Sequence, residues 1–557
     1  MSTLRANALE TLDGQRRVNI SDLAFFSQLS NIAYLRLFSK LAASRVQVQG
    51  YYAPGDGGGG TYALDPADTS SLDNGGTIIV GIDGGRWKLE TTGPISVRQF
   101  GARANGVTDD TQACQNAINW VGTTGGGKVL FPGDTVLISS ALTVPYSSVT
   151  LEGENRFASL IKQKALGANI VTATAPFFRL NELSMVYDGT PTNGAIALYS
   201  SGANSSYTGF IIRNAYVGVE VNTGTAQNFS DFQIFDYESI GFYAQSVNDV
   251  FLSNYVLNAG NTTRGALGGI RLYKQVEAFV SVNGDILLGA YSLTCDAVTN
   301  AAANRPGYNR FVSTFFDSAA KGSTLDKSVE TEFIGCWFSG GRSGSGFPGL
   351  NLGATESIKL NSCAFFNNGT HGLVVSANAN GTMIDSCSAE SNSFTSGAGV
   401  SHGFFFANGA HDFTLMGGRA HNGLYDGVQG YGCFIGTGCD NYSVIGMNLR
   451  GNQTGAMNDA SRTTATSRTV SGCKGFKTSS SGTAAIPVGA TTVVVTHGLD
   501  VGADNITPSI TPAADLNAAG AARFWISGKT DTTFTISVNA ALTASLPFFW
   551  QARDIGQ

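Results

Sequence analysis

Four stretches of this chain repeat one pattern: TEFIGCWFSGG (331–341), IKLNSCAFFNN (358–368), TMIDSCSAESN (382–392) and FTLMGGRAHNG (413–423). Cys336 to Cys363 is 27 residues, Cys363 to Cys387 is 24, and Gly418 takes the same place 31 residues later. A constant core pattern at variable spacing is what a solenoid gives when its coils carry loops of different length. One coil cannot bury its own apolar side, so coils must stack into a shared core. RFVSTFFDSA (310–319) fits as an earlier coil if Thr314 takes the Cys position, and TGFIIRNAYVGVEV (208–221) and FSDFQIFDYESIGFYAQ (229–245) share the pattern more loosely. The repeats span about 150 to 475.

Composition agrees. Charged residues are 13% of the chain and glycines number 71, within long Ser/Thr/Asn-rich stretches. That favours all-β structure dense in tight turns. Hydrophobic residues make up 42%, enough for a large core and too many for a disordered chain. The net charge of −6, with no long basic run, excludes nucleic acid as the main partner. MSTLRANALETLDGQRR has no apolar core and so is not a secretory signal. No apolar run approaches the ~20 residues of a membrane helix, so no membrane insertion is expected and synthesis is placed in a cytoplasm. The eight cysteines form no CxxC pair and read as reduced thiols. Cys433 and Cys439 lie close together, but no second ligand pair sits at zinc spacing, so neither metal nor other cofactor is expected.

Near the N-terminus, SDLAFFSQLSNIAYLRLFSKLAA (21–43) places Leu23, Phe26, Leu29, Ile32, Ala33, Leu37 and Leu41 at helical spacing. This predicts an amphipathic helix, either a surface helix of its own domain or a stem in an oligomer. The run GYYAPGDGGGGTY that follows is no phosphate loop, since no Lys-Ser/Thr and no long helix come after it.

Residues 94–152 run through a strand ending in FGA (100–102), then GVTDDT, a short helix, a glycine run, a strand ending in FP, and short strands closing on LEG. Asp109 and Asp110 suit the N-cap and first turn, a structural role, and Ala113, Ala117, Ile118 and Val121 give one apolar face. Such a helix covers the open first coil, whose strand edges would otherwise recruit other chains. This order of parts resembles the start of the right-handed parallel β-helix proteins, the pectin-lyase-like superfamily. GYYAPGDGGGGTY, DNGGTIIV and GGRWKL upstream sharpen the resemblance to bacteriophage tailspikes, over about 100 contiguous residues. The organisation expected is therefore an N-terminal helical anchor or stem (1–50), a small β adaptor (51–93), a right-handed parallel β-helix (94–477) with its capping helix at 109–121, and a C-terminal β-sandwich (478–557) for trimerisation or carbohydrate binding. The sandwich follows from the alternating strands in PVGATTVVVTHGLDVGADNITPSITP and ARFWISGKTDTTFTISV.

Stacked coils let columns be read, because neighbouring strands lie about 4.8 Å apart and side chains alternate in and out. With the Cys column inward, Phe316, Phe338, Phe365, Ala389 and Ala420 also point inward. Two outward columns follow: Phe315, Trp337, Ala364, Ser388, Arg419, and Asp317, Ser339, Phe366, Glu390, His421. Exposed large aromatics need a reason, and their planes suit sugar rings. Trp337, Phe366, Arg419, His421 and Tyr425 are the candidate substrate-binding residues. Glu390, Asp317, Glu332 and Glu330 are the candidate catalytic acids. Glycoside hydrolysis needs two carboxyls, about 5 Å apart for retention or roughly 6.5–9.5 Å for inversion. Asp317 and Glu390 lie three coils apart, roughly 14 Å at the backbone, so the face suits binding better than a ready pair. Glu332 shares a column with Lys359, which also fits a ladder ion pair. Asp385, in the column of Asn361, suits a bend-capping role. His371, His402 and His411 are placed in loops as ordinary polar residues. The polygalacturonase motifs NTD, DD, GHG and RIK are missing; SHG (401–403) and THG (370–372) are only partial.

The resemblance implies a virion protein: a homotrimer attached to a phage tail or another spike by its N-terminus, binding a bacterial capsule or O-antigen and depolymerising it. Endo-glycosidic hydrolysis by a carboxylate pair comes first. A polysaccharide lyase, a non-catalytic adhesin and a secreted pectinase are the alternatives.

Overall fold

The computed structural model describes residues 8–10, 17–19, 27–297, 304–341, 346–423, 426–462 and 464–554. The chain divides into two units, Met1–Ile211 and Ile212–Gln557.

The first unit opens with a five-stranded sheet. Ser27–Leu29 runs parallel to Arg45–Val48, and Gly60–Asp65, Arg86–Leu89 and Ile78–Val80 complete it antiparallel. Alternation buries Val46, Val48, Tyr62, Ile79 and Trp87 on one side. The glycine-rich run is an organised turn: the Asp56 carboxylate accepts N–H groups from Tyr51, Tyr52, Ala53 and Gly58. Burial pushes its pKa up, but these four donors outweigh it and hold the group below its ordinary value.

The helix expected over 21–43 is much shorter. Residues 20–26, including Leu23 and Phe26, lie outside the described residues, Ser27–Leu29 is a strand, and the helix is Ile32–Leu37. Asn31 caps it by accepting the Tyr34 N–H, and Phe38 leaves it to pack on Trp87 at 5.8 Å. Ile32 and Leu35 are buried, whereas Leu37 and Leu41 are exposed. Docking on the small sheet has overridden the apolar periodicity.

Beyond residue 94 the first unit winds into parallel coils. The helix Thr111–Thr123 buries Cys114, Ala117, Ile118 and Val121, so Cys114 holds the inward place expected of Ala113. The Asp-Asp pair is structural. Asp109 accepts from the Thr111 N–H and hydroxyl, and Asp110, at the N-cap position without a cap bond, accepts from the Arg103 and Ala104 N–H groups.

The second unit also winds as a right-handed parallel β-helix. One coil is Arg310–Val312, Phe315–Ala319 and Ser323–Leu325. The next is Glu332–Ile334, Trp337–Gly340 and Leu350–Leu352, each strand parallel to its predecessor. Between the first and second strands stands a left-handed residue: Ser313 (φ 47°), Gly335 (60°), Ser362 (54°), Ser386 (54°) and, in the last of these coils, Gly417 (61°) followed by Gly418 (74°). Short polar residues or glycine tolerate that conformation, which turns the chain so that the next side chain points inward. Thr314, Cys336, Cys363 and Cys387 occupy that inward place, all buried, and all eight cysteines are free thiols. At the next bend an amide ladder runs from the buried Asn368, Asn392 and Gln429 to the half-buried Asn452, at 2.9, 3.0 and 2.8 Å.

The C-terminal part forms two three-stranded antiparallel sheets. One holds Ser479–Ile486, Leu546–Asp554 and Ile506–Pro512, the other Thr492–Thr496, Thr533–Val538 and Phe524–Lys529. Their inner faces bury Val495, Phe534, Ile536, Leu546 and Phe548. No helix among the described residues is long and apolar enough to cross a membrane.

Candidate functional site

The strands Phe315–Ala319, Trp337–Gly340, Ala364–Phe366, Ser388–Glu390 and Arg419–His421 stack in parallel on one face of the second unit. Phe315 lies opposite Trp337, Trp337 opposite Ala364, Ala364 opposite Ser388, and Ser388 opposite Arg419. Phe316, Phe338, Phe365, Ala389 and Ala420 form the buried column between. The outward column Phe315, Trp337, Ala364, Ser388, Arg419 is the one read from the repeats; in the other, Phe366, Glu390 and His421 lie opposite one another, whereas Ser339 is buried beside a register slip. Phe315 and Trp337 stack at 4.4 Å, and Phe366 meets Trp337 edge-on at 5.5 Å. Trp337 is 45% exposed.

The acids of this face are unequal. Asp317 sits where the register slips between Phe316 and Ala319, and its carboxylate accepts from the hydroxyls of Ser318 and Ser339. Glu390 lies 3.8 Å from Arg419, and a Cβ at Gly423 would fall 1.6 Å from its Oε1, so the chain presses closely over it. Three strand spacings separate Asp317 from Glu390, roughly 14 Å at the backbone, and they do not form a pair. His421 donates from Nδ1 to the Asn422 carbonyl at 2.8 Å, leaving a buried Nε2 with no hydrogen bond among the described residues. Tyr425 lies outside the described residues.

A third acid, Asp285, was not foreseen. Its strand, Val280–Leu287, pairs with Phe315–Ala319 so that Asp285 stands opposite Phe315, and Leu287 opposite Asp317. Asp285 and Asp317 thus occupy diagonal corners on adjacent coils, facing outward. Burial, and then the charge of Asp317, push the Asp285 carboxyl above its ordinary value.

Two family descriptions match the chain. Residues 28–92 match the phage tail protein small four-stranded beta-sheet domain. Residues 94–263 match rhamnogalacturonase A/epimerase, pectate lyase-like. The chain thus carries a match to a phage tail sheet domain followed by a pectate-lyase-like parallel β-helix. Among solved structures, tailspike protein 3 of bacteriophage CBA120 has a TM-score of 0.51 at 15% identity, over 85% of this chain and 83% of that one, a likeness of fold. The tailspike protein gp49 of Acinetobacter baumannii bacteriophage Fri1, described as a capsular polysaccharide depolymerase, has 0.45 at 14%, over 94% and 97%. The A-module of an Azotobacter vinelandii mannuronan C-5 epimerase has 0.48 at 18%, over 68% and 98%.

The remaining candidates lie elsewhere on the coils. Glu332 stands between Arg310 and Lys359 in register and pairs with Arg310 at 2.7 Å, while Glu330 lies 3.8 Å from Lys359. The structure does not bring them beside Asp317 or Glu390. Glu332→Gln is expected to change stability by less than about 1 kcal/mol, because the pair is partly exposed; a thermal melt checks this. His371 and His402 lie between strands, as expected, but form a ladder at a bend rather than standing as separate polar residues. His371 Nδ1 accepts the His402 N–H at 3.0 Å, and His402 Nδ1 accepts the Tyr431 N–H at 3.3 Å. Burial pushes His371 down to about 3, helped by His402, and His402 down to about 4. His411 starts the strand His411–Met416 and meets Asp412 at 2.6 Å. Asp385 lies opposite Asn361 and accepts from the Ser386 hydroxyl at the bend. No group of three or more potential metal ligands occurs among the described residues.

Proposed function

We propose that this chain is a tailspike that sits on a phage tail, binds a bacterial surface polysaccharide, capsule or O-antigen, and shortens it by hydrolysis within the glycan chain with two carboxyl groups. The observation that carries the reading is the outward face of the second unit. It sets the exposed Trp337, between the half-buried Phe315 and Phe366, in columns shared with Asp285, Asp317, Glu390 and Arg419. An apolar, aromatic surface fringed by a few directed polar groups is how ligand sites are commonly built. The match of residues 28–92 to a phage tail domain supports the location.

The test is incubation of the full chain with a panel of capsular and O-antigen glycans, followed by chain length. Shortened chains with saturated ends are expected. An unsaturated uronate at the new end marks a lyase instead, and binding without shortening marks an adhesin. Trp337→Ala is expected to weaken glycan binding about tenfold, the ~1.4 kcal/mol typical of an anchoring aromatic, with a thermal midpoint lowered by at most a few degrees. The assembly is proposed as a homotrimer held by residues 478–557. Light scattering should return three times the 58.0 kDa chain mass.

A further inference from the structure

Asp285 and Asp317 occupy adjacent coils at opposed corners of a square completed by Phe315 and Leu287. One strand spacing and two residues separate them, which places them roughly 8 Å apart at the backbone, both facing outward. This falls within the roughly 6.5–9.5 Å that leaves room for a water between the carboxyls of an inverting glycosidase. Phe315, opposite Asp285, is stacked on the exposed Trp337, so an aromatic surface for a sugar ring borders the gap. No hydrogen bond or ion pair to the Asp285 carboxyl is found among the described residues. Asp317 is held as a hydrogen-bond acceptor by two serine hydroxyls.

We propose that Asp285 and Asp317 are the working pair of this tailspike, Asp285 as general acid and Asp317 as general base in hydrolysis with inversion. The proposal rests on the reading that this face cleaves a glycan. Asp285 gives its proton to the glycosidic oxygen as the bond from that oxygen to the anomeric carbon breaks. A water attacks that carbon from the opposite side and forms the new C–O bond, and its proton passes to Asp317. The products are a free alcohol on one fragment and a hemiacetal of inverted configuration on the other. Proton exchange with solvent then restores both carboxyls. The upward shift of Asp285 by burial and by the Asp317 charge fits the acid's task, since two near carboxyls do not both ionise easily.

The experiment compares the full chain with Asp285→Asn and Asp317→Asn, on whichever glycan of the panel the unaltered protein shortens. Each variant is expected to lose 10²- to 10⁴-fold in cleavage rate. Both should keep the thermal midpoint and the affinity for the intact glycan. The fresh reducing end, followed by NMR, should show the inverted anomer. The alkaline fall of the rate should follow the titration of one group raised above an ordinary carboxyl. Cleavage by the unaltered chain with undiminished cleavage by Asp285→Asn overturns the assignment while leaving the functional reading intact, and a retained anomer overturns the roles. An unaltered chain that shortens no glycan removes both proposals.

Discussion

Arg468→Met is expected to destabilise the second unit by about 3–5 kcal/mol, as removing one partner of a buried ion pair does. The Arg468 guanidinium holds the Asp554 carboxylate at 2.8 and 2.9 Å, and its Nε lies 3.6 Å from Asp459. All three side chains are 1% exposed. Tyr442 donates to Asp459 at 2.7 Å, and the Ser461 N–H donates at 3.2 Å. Arg468 belongs to the last strand of the solenoid and Asp554 to the last strand of the sandwich, so the contact ties the two together. Burial pushes both carboxyls above their ordinary values, with Arg468 pulling them back. An acid raised in the folded state carries no penalty below its unfolded pKa, where both states hold the proton. The penalty grows as pH rises and is complete above the folded value. Without Arg468 both carboxyls rise further. The variant should therefore recover part of its deficit as pH falls from about 7.5 toward 5. Thermal melts at the two ends of that range check this, and an equal deficit at both would sink the account. Adding Asp554→Asn should return part of the loss, because one stranded charge goes with it.

The solenoid was legible because its geometry is repeated in residue types. A left-handed Ser or Gly, a small buried Thr or Cys, then an outward and an inward residue recur from Ser313 to Ala389, and the exposed, left-handed Gly418 departs from the pattern in the coil that follows. Each coil reports on the next, so the outward columns could be read before any coordinates. The same logic fails one coil earlier. In FVSVNGDILLG (279–289) the inward positions carry Ser281 and Gly284 instead of the expected apolar and small side chains. The reason is Tyr255 on the preceding coil. A Cβ at Gly284 would fall 2.1 Å from the Tyr255 ring, and the tyrosine hydroxyl bonds Ser281 at 2.6 Å, which bonds Thr314 at 2.8 Å. One large side chain fills two coils' share of core and erases the pattern that would have exposed Asp285. Ile286, two places after Gly284, was the remaining signal. The amide ladder at Asn368, Asn392, Gln429 and Asn452 was hidden for another reason. Asn and Gln suit surface bends as well, and only stacking shows that they bond one another. At the N-terminus, apolar spacing named a helix from 21 to 43, yet the partners of that face decided its length. Trp87 and the small sheet give burial only to Ile32 and Leu35 in that helix.

The alternation can be tested in two adjacent residues. Phe338→Ala is expected to destabilise the second unit by about 3–5 kcal/mol, the cost of emptying a packed aromatic site. Phe338 is fully buried, stacked on Phe316 at 4.9 Å and on Phe365 at 5.0 Å, with Phe333 edge-on at 5.4 Å. Truncation leaves a hole that three coils share and that stacked strands cannot close without losing register. In a solenoid such damage spreads chiefly to the nearest neighbours. Hydrogen exchange should therefore quicken in the coils between Arg310 and Val375 before it does elsewhere. Trp337→Ala, one residue earlier, removes a larger ring, but that ring points outward, and its stability effect should stay near 1 kcal/mol or below. Phe338→Ala combined with Phe365→Ala should cost less than the sum of the two, because both open the same cavity. Were Trp337→Ala to prove the more destabilising of the adjacent pair, the inward and outward columns would be exchanged, and the acids assigned to the outer face would lie in the core.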